Sequence, residues 1–218
     1  MAADLEPPKK IFAHGWWTNE GQKISKSLGN VINPYEIIGQ YGLDQIRFFL
    51  FREVPFGNDG DFSKDAIAQR VNADLSNNYG NLIQRIASFI IKNANAEVLK
   101  PKKIEEKDEK LLQQFNLTLK NYLKNMESFQ IDKALKNIFD YLYEVNSYVD
   151  EQAPWSLKKT DTNRMQDVLY VITLITIKCS VLLQPIIPSS IDKVLNIYNL
   201  SLKELDLVNI KDFNPNTI

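Results

Sequence analysis

With 218 residues, 44% of them hydrophobic and 24% charged, the chain has the composition of an ordinary globular fold, large enough for one big domain or two small ones. Its formal net charge of -1 and pI near 5.9 exclude a bulk attraction to nucleic acid, so any RNA contact has to come from local patches and base stacking. One cysteine, Cys179, excludes an internal disulfide and a thiolate metal cluster and fits a reducing compartment, the cytoplasm.

In chain order, residues 1–10 are polar, carry Pro7-Pro8 and lack the apolar stretch of a secretory signal. Residues 11–18 read IFAHGWWT, a short aromatic-rich strand closed by the turn formers Asn19-Glu20-Gly21. A strand needs partners, and the candidates are strands upstream of Met1 or a short one near residues 60–62. His14, the one histidine, has no neighbour in this reading that would make it an acid or base, so a packing role is expected.

Pro34 opens a helical pattern to residue 40, Tyr41-Gly42 breaks it, and a second helix spans residues 43–54. The loop of residues 55–61 marks a domain boundary, giving a first unit of residues 1–60 and a second of residues 61–218. Ser63 caps a long predicted helix to residue 95, with Ile67, Val71, Leu75, Leu82, Ile86, Phe89 and Ile90 at helical spacing. Residues 100–110 are a mixed charge run, read as a solvated connector and helix start. Helical patterns at 111–126, 131–149, 161–183 and 188–199 complete an antiparallel bundle. The apolar run 168–187 is long enough to suggest a membrane span, but Lys178 near its middle would cost about 2.5 to 3.5 kcal/mol there. A buried bundle helix, with no membrane, is the expectation. The fold class is therefore mainly α: a small α-rich region with one or two short strands, then an all-α bundle.

Lys23-Ile24-Ser25-Lys26-Ser27-Leu28-Gly29-Asn30 follows the strand and precedes a helix, interleaving two cations with small hydroxyl residues. Such a loop can clamp phosphates: when a carboxylate attacks the α-phosphate of ATP, charge builds on the departing β- and γ-phosphates, and aimed ammonium groups stabilise it. A solvated lysine turn has the same composition. On the long helix, Asn81 and Arg85 project from one face and could together read one splayed base, although spacing alone favours two ordinary surface residues. Trp155 beside the rigid Pro154 is either a stacking platform or a plug for the bundle end. The tyrosines, Tyr143 among them, are assigned to core and boundary positions. Arg47, Arg52 and Arg70 are read as solvated or ion-paired in preference to touching RNA.

Residues 23–27 resemble the KMSKS signature of class I aminoacyl-tRNA synthetases, with Ile24 in the methionine position. The flanks, His14-Gly15-Trp16-Trp17-Thr18, Ser27-Leu28-Gly29-Asn30-Val31, Arg52-Glu53-Val54-Pro55-Phe56-Gly57 and Asp59-Gly60-Asp61-Phe62-Ser63, are similar to the methionyl-tRNA synthetase family. So are Asn81-Leu82-Ile83-Gln84-Arg85 and Asn146-x-Tyr148-Val149 leading to Pro154-Trp155. The resemblance covers nearly the whole chain, weakening after Leu200. It implies a methionine–tRNA ligase that activates methionine with ATP, accompanied by Mg2+, and charges its tRNA. Lys23 and Lys26 would meet the ATP phosphates, with Ser25 and Ser27 in the same ATP-binding loop. Asn81, Arg85 and Trp155 would read the first base of a CAU anticodon, supported by Asn146 and Pro154. No HIGH-like motif is present, so the resemblance also implies that the Rossmann half and the methionine pocket lie outside these residues, that no metal site lies within them, and that the chain alone is inactive. The same superfamily with another amino acid, or a non-catalytic RNA-binding module, are the alternatives.

Overall fold

The computed structural model describes residues 6–202, 205, 207 and 209–218. The polar amino terminus therefore lies partly outside the described residues. Three short strands, β1 (Trp17–Asn19), β2 (Gln22–Lys23) and β3 (Gly60–Asp61), form a sheet in the order β2-β1-β3. β1 pairs antiparallel with β2, Thr18 opposite Lys23, and parallel with β3, Trp17 opposite Gly60. Glu20 and Gly21, both at positive φ, make the reversal between β1 and β2, which is why the predicted turn residues sit there. The partner near residues 60–62 is the one realised among the described residues. The strand itself is shorter than expected: residues 11–16 are irregular, and His14 is exposed, its Nδ1 2.7 Å from the Gly15 carbonyl oxygen. His14 thus does not take the expected packing role.

Two helices follow, α1 (Pro34–Tyr41), capped by the Asn33 side chain, and α2 (Leu43–Arg52). α2 is a shared wall. Phe48 enters the main core, its ring 5.2 Å from that of Phe139, while Ile46 and Phe49 join Ile67 in a small second core with Trp17 and Phe62 at its edge. The expected boundary after Gly60 falls inside β3, and Ile67 ties the next helix to the small core.

The long helix predicted from Ser63 is continuous but not uniform. α3 (Lys64–Arg70), with the Ser63 hydroxyl accepting from the Ala66 amide at 3.2 Å, passes into a π-helical stretch, Val71–Gly80, and then α4 (Asn81–Asn93). The bundle is completed by α5 (Glu106–Glu127), α6 (Ile131–Gln152), α7 (Pro154–Thr160), α8 (Thr162–Leu183) and α9 (Pro188–Ile197). α7 was not expected; Ala153, at φ 44°, stops α6 and lets Pro154 start a new helix.

α8 is the one helix among the described residues long and apolar enough to cross a membrane, yet 89% of its most apolar window is buried by its neighbours. Lys178 lies inside: its Nζ donates to the Lys211 carbonyl at 2.8 Å and sits 5.2 Å from the Phe115 ring centroid, and burial pulls its ammonium below the ordinary range. Cys179 is fully buried. The three arginines are bound within the fold, Arg52 to Asp74 at 3.1 Å, Arg70 to Glu53 at 2.8 Å and Arg47 to two backbone carbonyls.

Candidate phosphate loop and nucleic-acid interface

Residues 23–30 form a tight loop between β2 and α1, and its organiser is Asn30. The Asn30 Oδ1 accepts from the Ser25 amide at 2.8 Å, its Nδ2 donates to the Lys23 carbonyl at 3.0 Å, and its own carbonyl accepts from the Asn19 side chain at 2.9 Å. Ser25 and Ser27 hydroxyls lie 2.7 Å apart, and Gly29 turns the chain at φ 68°. Lys23 and Lys26 are exposed, and among the described residues neither makes an ion pair. Two exposed lysines and two adjoining hydroxyls thus belong to a loop whose ends are fastened by a single amide side chain. Asn30 has no assigned role in the sequence reading, because an Asn after Leu-Gly looks like a turn former until its two-sided bonding is visible.

Asn81, Arg85 and Asn146 line one polar groove of about 460 Å³, between the π-helical stretch, α4 and α6. Asn81 is exposed. Arg85 donates from Nη2 to Asp150 Oδ1 at 2.8 Å, and its guanidinium carbon is 5.5 Å from the centre of the Trp155 ring, a cation–π distance. Trp155 is 43% exposed, whereas Pro154 beside it is buried. Asn146 is turned inward: its Nδ2 donates to Asn78 Oδ1 at 2.8 Å and to the Leu142 carbonyl at 3.0 Å. Asn78 in turn donates to the Phe139 carbonyl at 3.1 Å, so this pair welds the π-helical stretch to α6. Among the described residues, the lysine loop contributes nothing to this groove. Asp150 and Asn78 escaped the sequence reading, although Asp150 is one turn beyond Asn146 on the same face.

A buried ionic cluster braces the turn that carries Trp155. Asp108 is fully buried and accepts from both terminal nitrogens of Arg164, from the Tyr148 hydroxyl and, at 3.0 Å, from the Glu105 amide. Arg164 Nη2 also reaches Gln152 Oε1 at 2.7 Å, the residue before Ala153. Burial works against the Asp108 carboxylate, but these hydrogen bonds together hold it below the usual carboxylate range. The bond to Asp108 pushes the Arg164 guanidinium up, and burial pushes the Tyr148 phenol up. The charge run 100–110, read as a solvated connector, therefore contains a core acid. Among the described residues, no group of three or more His, Cys, Asp or Glu could hold a metal ion.

Known proteins match this chain over nearly its whole length. The family of class I tRNA synthetases described as "tRNA synthetases class I (M)" matches residues 1–87, and the "Anticodon binding domain of methionyl tRNA ligase" matches residues 98–209. A methionine–tRNA ligase of Rickettsia felis is 45% identical over 207 residues, covering 94% of this chain and 40% of that protein. One of Brucella suis is 47% identical over 197 residues, covering 90% and 38%. The solved Mycobacterium tuberculosis methionyl-tRNA synthetase in complex with methionyl-adenylate superposes with a TM-score of 0.90 at 35% identity, over 96% of this chain and 42% of that one. The chain thus spans about 40% of the length of its curated relatives. Because the methionyl anticodon-binding family accounts for residues 98–209, more than half of the 218, and the same fold recurs in a solved relative, the chain belongs to the methionyl-tRNA synthetase family.

Proposed function

We propose that this chain is the part of a methionine–tRNA ligase that clamps ATP phosphates during methionine activation and reads a CAU anticodon, working in the cytoplasm. The observation that carries the RNA half of this reading is the exposed Trp155 ring against Arg85, a residue that lines an open polar groove together with Asn81. An amide and a guanidinium match the donor and acceptor edge of cytosine, and the indole offers its flat face. Asn146 and Pro154 act behind them, one fixing the groove wall and the other starting the helix that presents Trp155.

The ATP half rests on Lys23, Lys26, Ser25 and Ser27 in a loop fastened by Asn30. The loop holds no carboxylate, so Mg2+ would arrive bound to the ATP phosphates, neutralising charge there. We assign the methionine pocket to the remainder of such a protein and the division of labour to the two units expected from the sequence, residues 1–60 and 61–218. Titration of the 218-residue chain with anticodon stem-loops carrying CAU or GAU, at fixed salt, tests the reading. CAU should bind more tightly, and Trp155→Ala should weaken CAU binding by about 1 to 3 kcal/mol. Equal affinity for both loops overturns it.

A further inference from the structure

On α6, Tyr143, Asn146 and Asp150 stand three and then four residues apart and share one helix face. Tyr143 is 70% exposed, which removes it from the core and boundary positions expected of it. Among the described residues, no hydrogen bond or ring contact holds its side chain. A single exposed aromatic is ordinary in itself. What distinguishes Tyr143 is its place, lining the same groove as Asn81, Arg85 and Asn146.

Seven residues of helix put Tyr143 about 10 Å along the axis from Asp150. Asp150 holds Arg85, and Arg85 lies against Trp155. Tyr143 therefore lines the groove itself, together with the hydrogen-bonding side chains of Asn81, Arg85 and Asn146, while the second ring, Trp155, lies outside that lining against Arg85. The groove walls also carry two carboxylates, Asp74 and Asp140, each paired with a cation, Asp74 with Arg52 at 3.1 Å and Asp140 with Lys136 at 2.6 Å. Carboxylates repel a phosphate and accept hydrogen bonds from an amino group, so a nucleotide entering here does so base first.

We infer that Tyr143 is a second stacking platform, taking one unpaired, amino-bearing base next to the base held by Asn81, Arg85 and Trp155. This rests on the reading of the groove as an anticodon interface. Two rings separated in this way engage two different nucleotides of a splayed loop, which turns a one-base contact into a two-base one.

The test is a fluorescence anisotropy titration of the 218-residue chain and of Tyr143→Ala, Tyr143→Phe and Trp155→Ala with a CAU stem-loop, intact or abasic at one loop position at a time. Tyr143 is exposed, so its replacement leaves the bundle packing intact. Tyr143→Ala should weaken binding of the intact loop by about 5-fold or more and Tyr143→Phe by less than about 2-fold. The Tyr143→Ala penalty should vanish with one abasic position, different from the one that erases the Trp155→Ala penalty. A Tyr143→Ala change that leaves affinity unaltered while Trp155→Ala weakens it overturns the inference and spares the anticodon reading. The same abasic position erasing both penalties also overturns it. An ineffective Trp155→Ala removes the anticodon reading and the inference together.

Discussion

The Arg47 guanidinium on α2 donates from Nε to the carbonyl of Ile186 at 2.8 Å, joining residues 139 apart in sequence. The same side chain reaches the Pro185 carbonyl from Nη2 at 2.8 Å, and one turn earlier buried Asp44 accepts from the Ser190 amide at 2.6 Å at the start of α9. α2 is thereby bolted to the α8–α9 corner as well as packed against it. Arg47→Ala should lower stability by about 1.5 to 3 kcal/mol, the range for hydrogen bonds made by a charged group. Urea unfolding measures it, and an unchanged midpoint would mean that apolar packing alone holds the corner.

The Asp108 cluster makes stability depend on acid. A carboxylate held below its ordinary value contributes stability that is fully present above the unfolded value, near 3.8, and is lost as pH falls through the lower folded one. Asp108→Asn should remove this acid-side slope and cost about 3 to 5 kcal/mol, because Arg164 then stays buried without its main partner. Unfolding free energies measured between pH 2 and pH 7 in wild type and variant check both the sign and the size.

Gly80 reverses a common rule. Replacing a helical glycine by alanine usually stabilises, yet at Gly80 an added Cβ would meet the Leu75 carbonyl oxygen at 2.9 Å, the carbonyl five residues back. Gly80→Ala should therefore destabilise by about 1 to 3 kcal/mol, as overpacking does. A raised melting temperature would show that the stretch relaxes to α winding at no cost.

The proposed function gives Lys26 a part in the chemistry. In the assembled ligase, Lys26→Ala should slow methionine-dependent ATP–pyrophosphate exchange by about 2.7 to 4 kcal/mol of activation energy, with methionine affinity little changed, since the ammonium meets charge that grows in the transition state. Equal losses in methionine binding would place Lys26 in ground-state recognition.

Much of this architecture is legible in the sequence for physical reasons. Ile67 through Ile90 recur at helical spacing because one helix face is buried, and Asn19-Glu20-Gly21 turns because Glu20 and Gly21 must take positive φ. Trp155 and Arg85 come together although 70 residues separate them, and here only the likeness of local motifs, not periodicity, suggested it. What escaped depends on contacts between distant segments. The burial of Asp108 hides in a charge run because its partners Tyr148 and Arg164 lie on other helices. The exposure of Tyr143 cannot be read from helical spacing, which places it beside the core residues Leu142 and Val145. The break at Ala153 is hidden because alanine ordinarily continues a helix, and left-handed alanine arises only where the surrounding fold enforces it.

In the stretch Val71–Gly80, a turn closed by i→i+5 bonds contains more residues than an α turn, so α4 emerges with a different rotational phase from the one α3 would have set. With that offset Leu82, Ile83 and Ile86 point inward while Asn81 and Arg85 face the groove. The segment acts as a vernier on the helix. Gaining or losing one residue there turns everything downstream by about 100°, so this stretch should resist any change of length, even at positions whose exposed side chains can be exchanged.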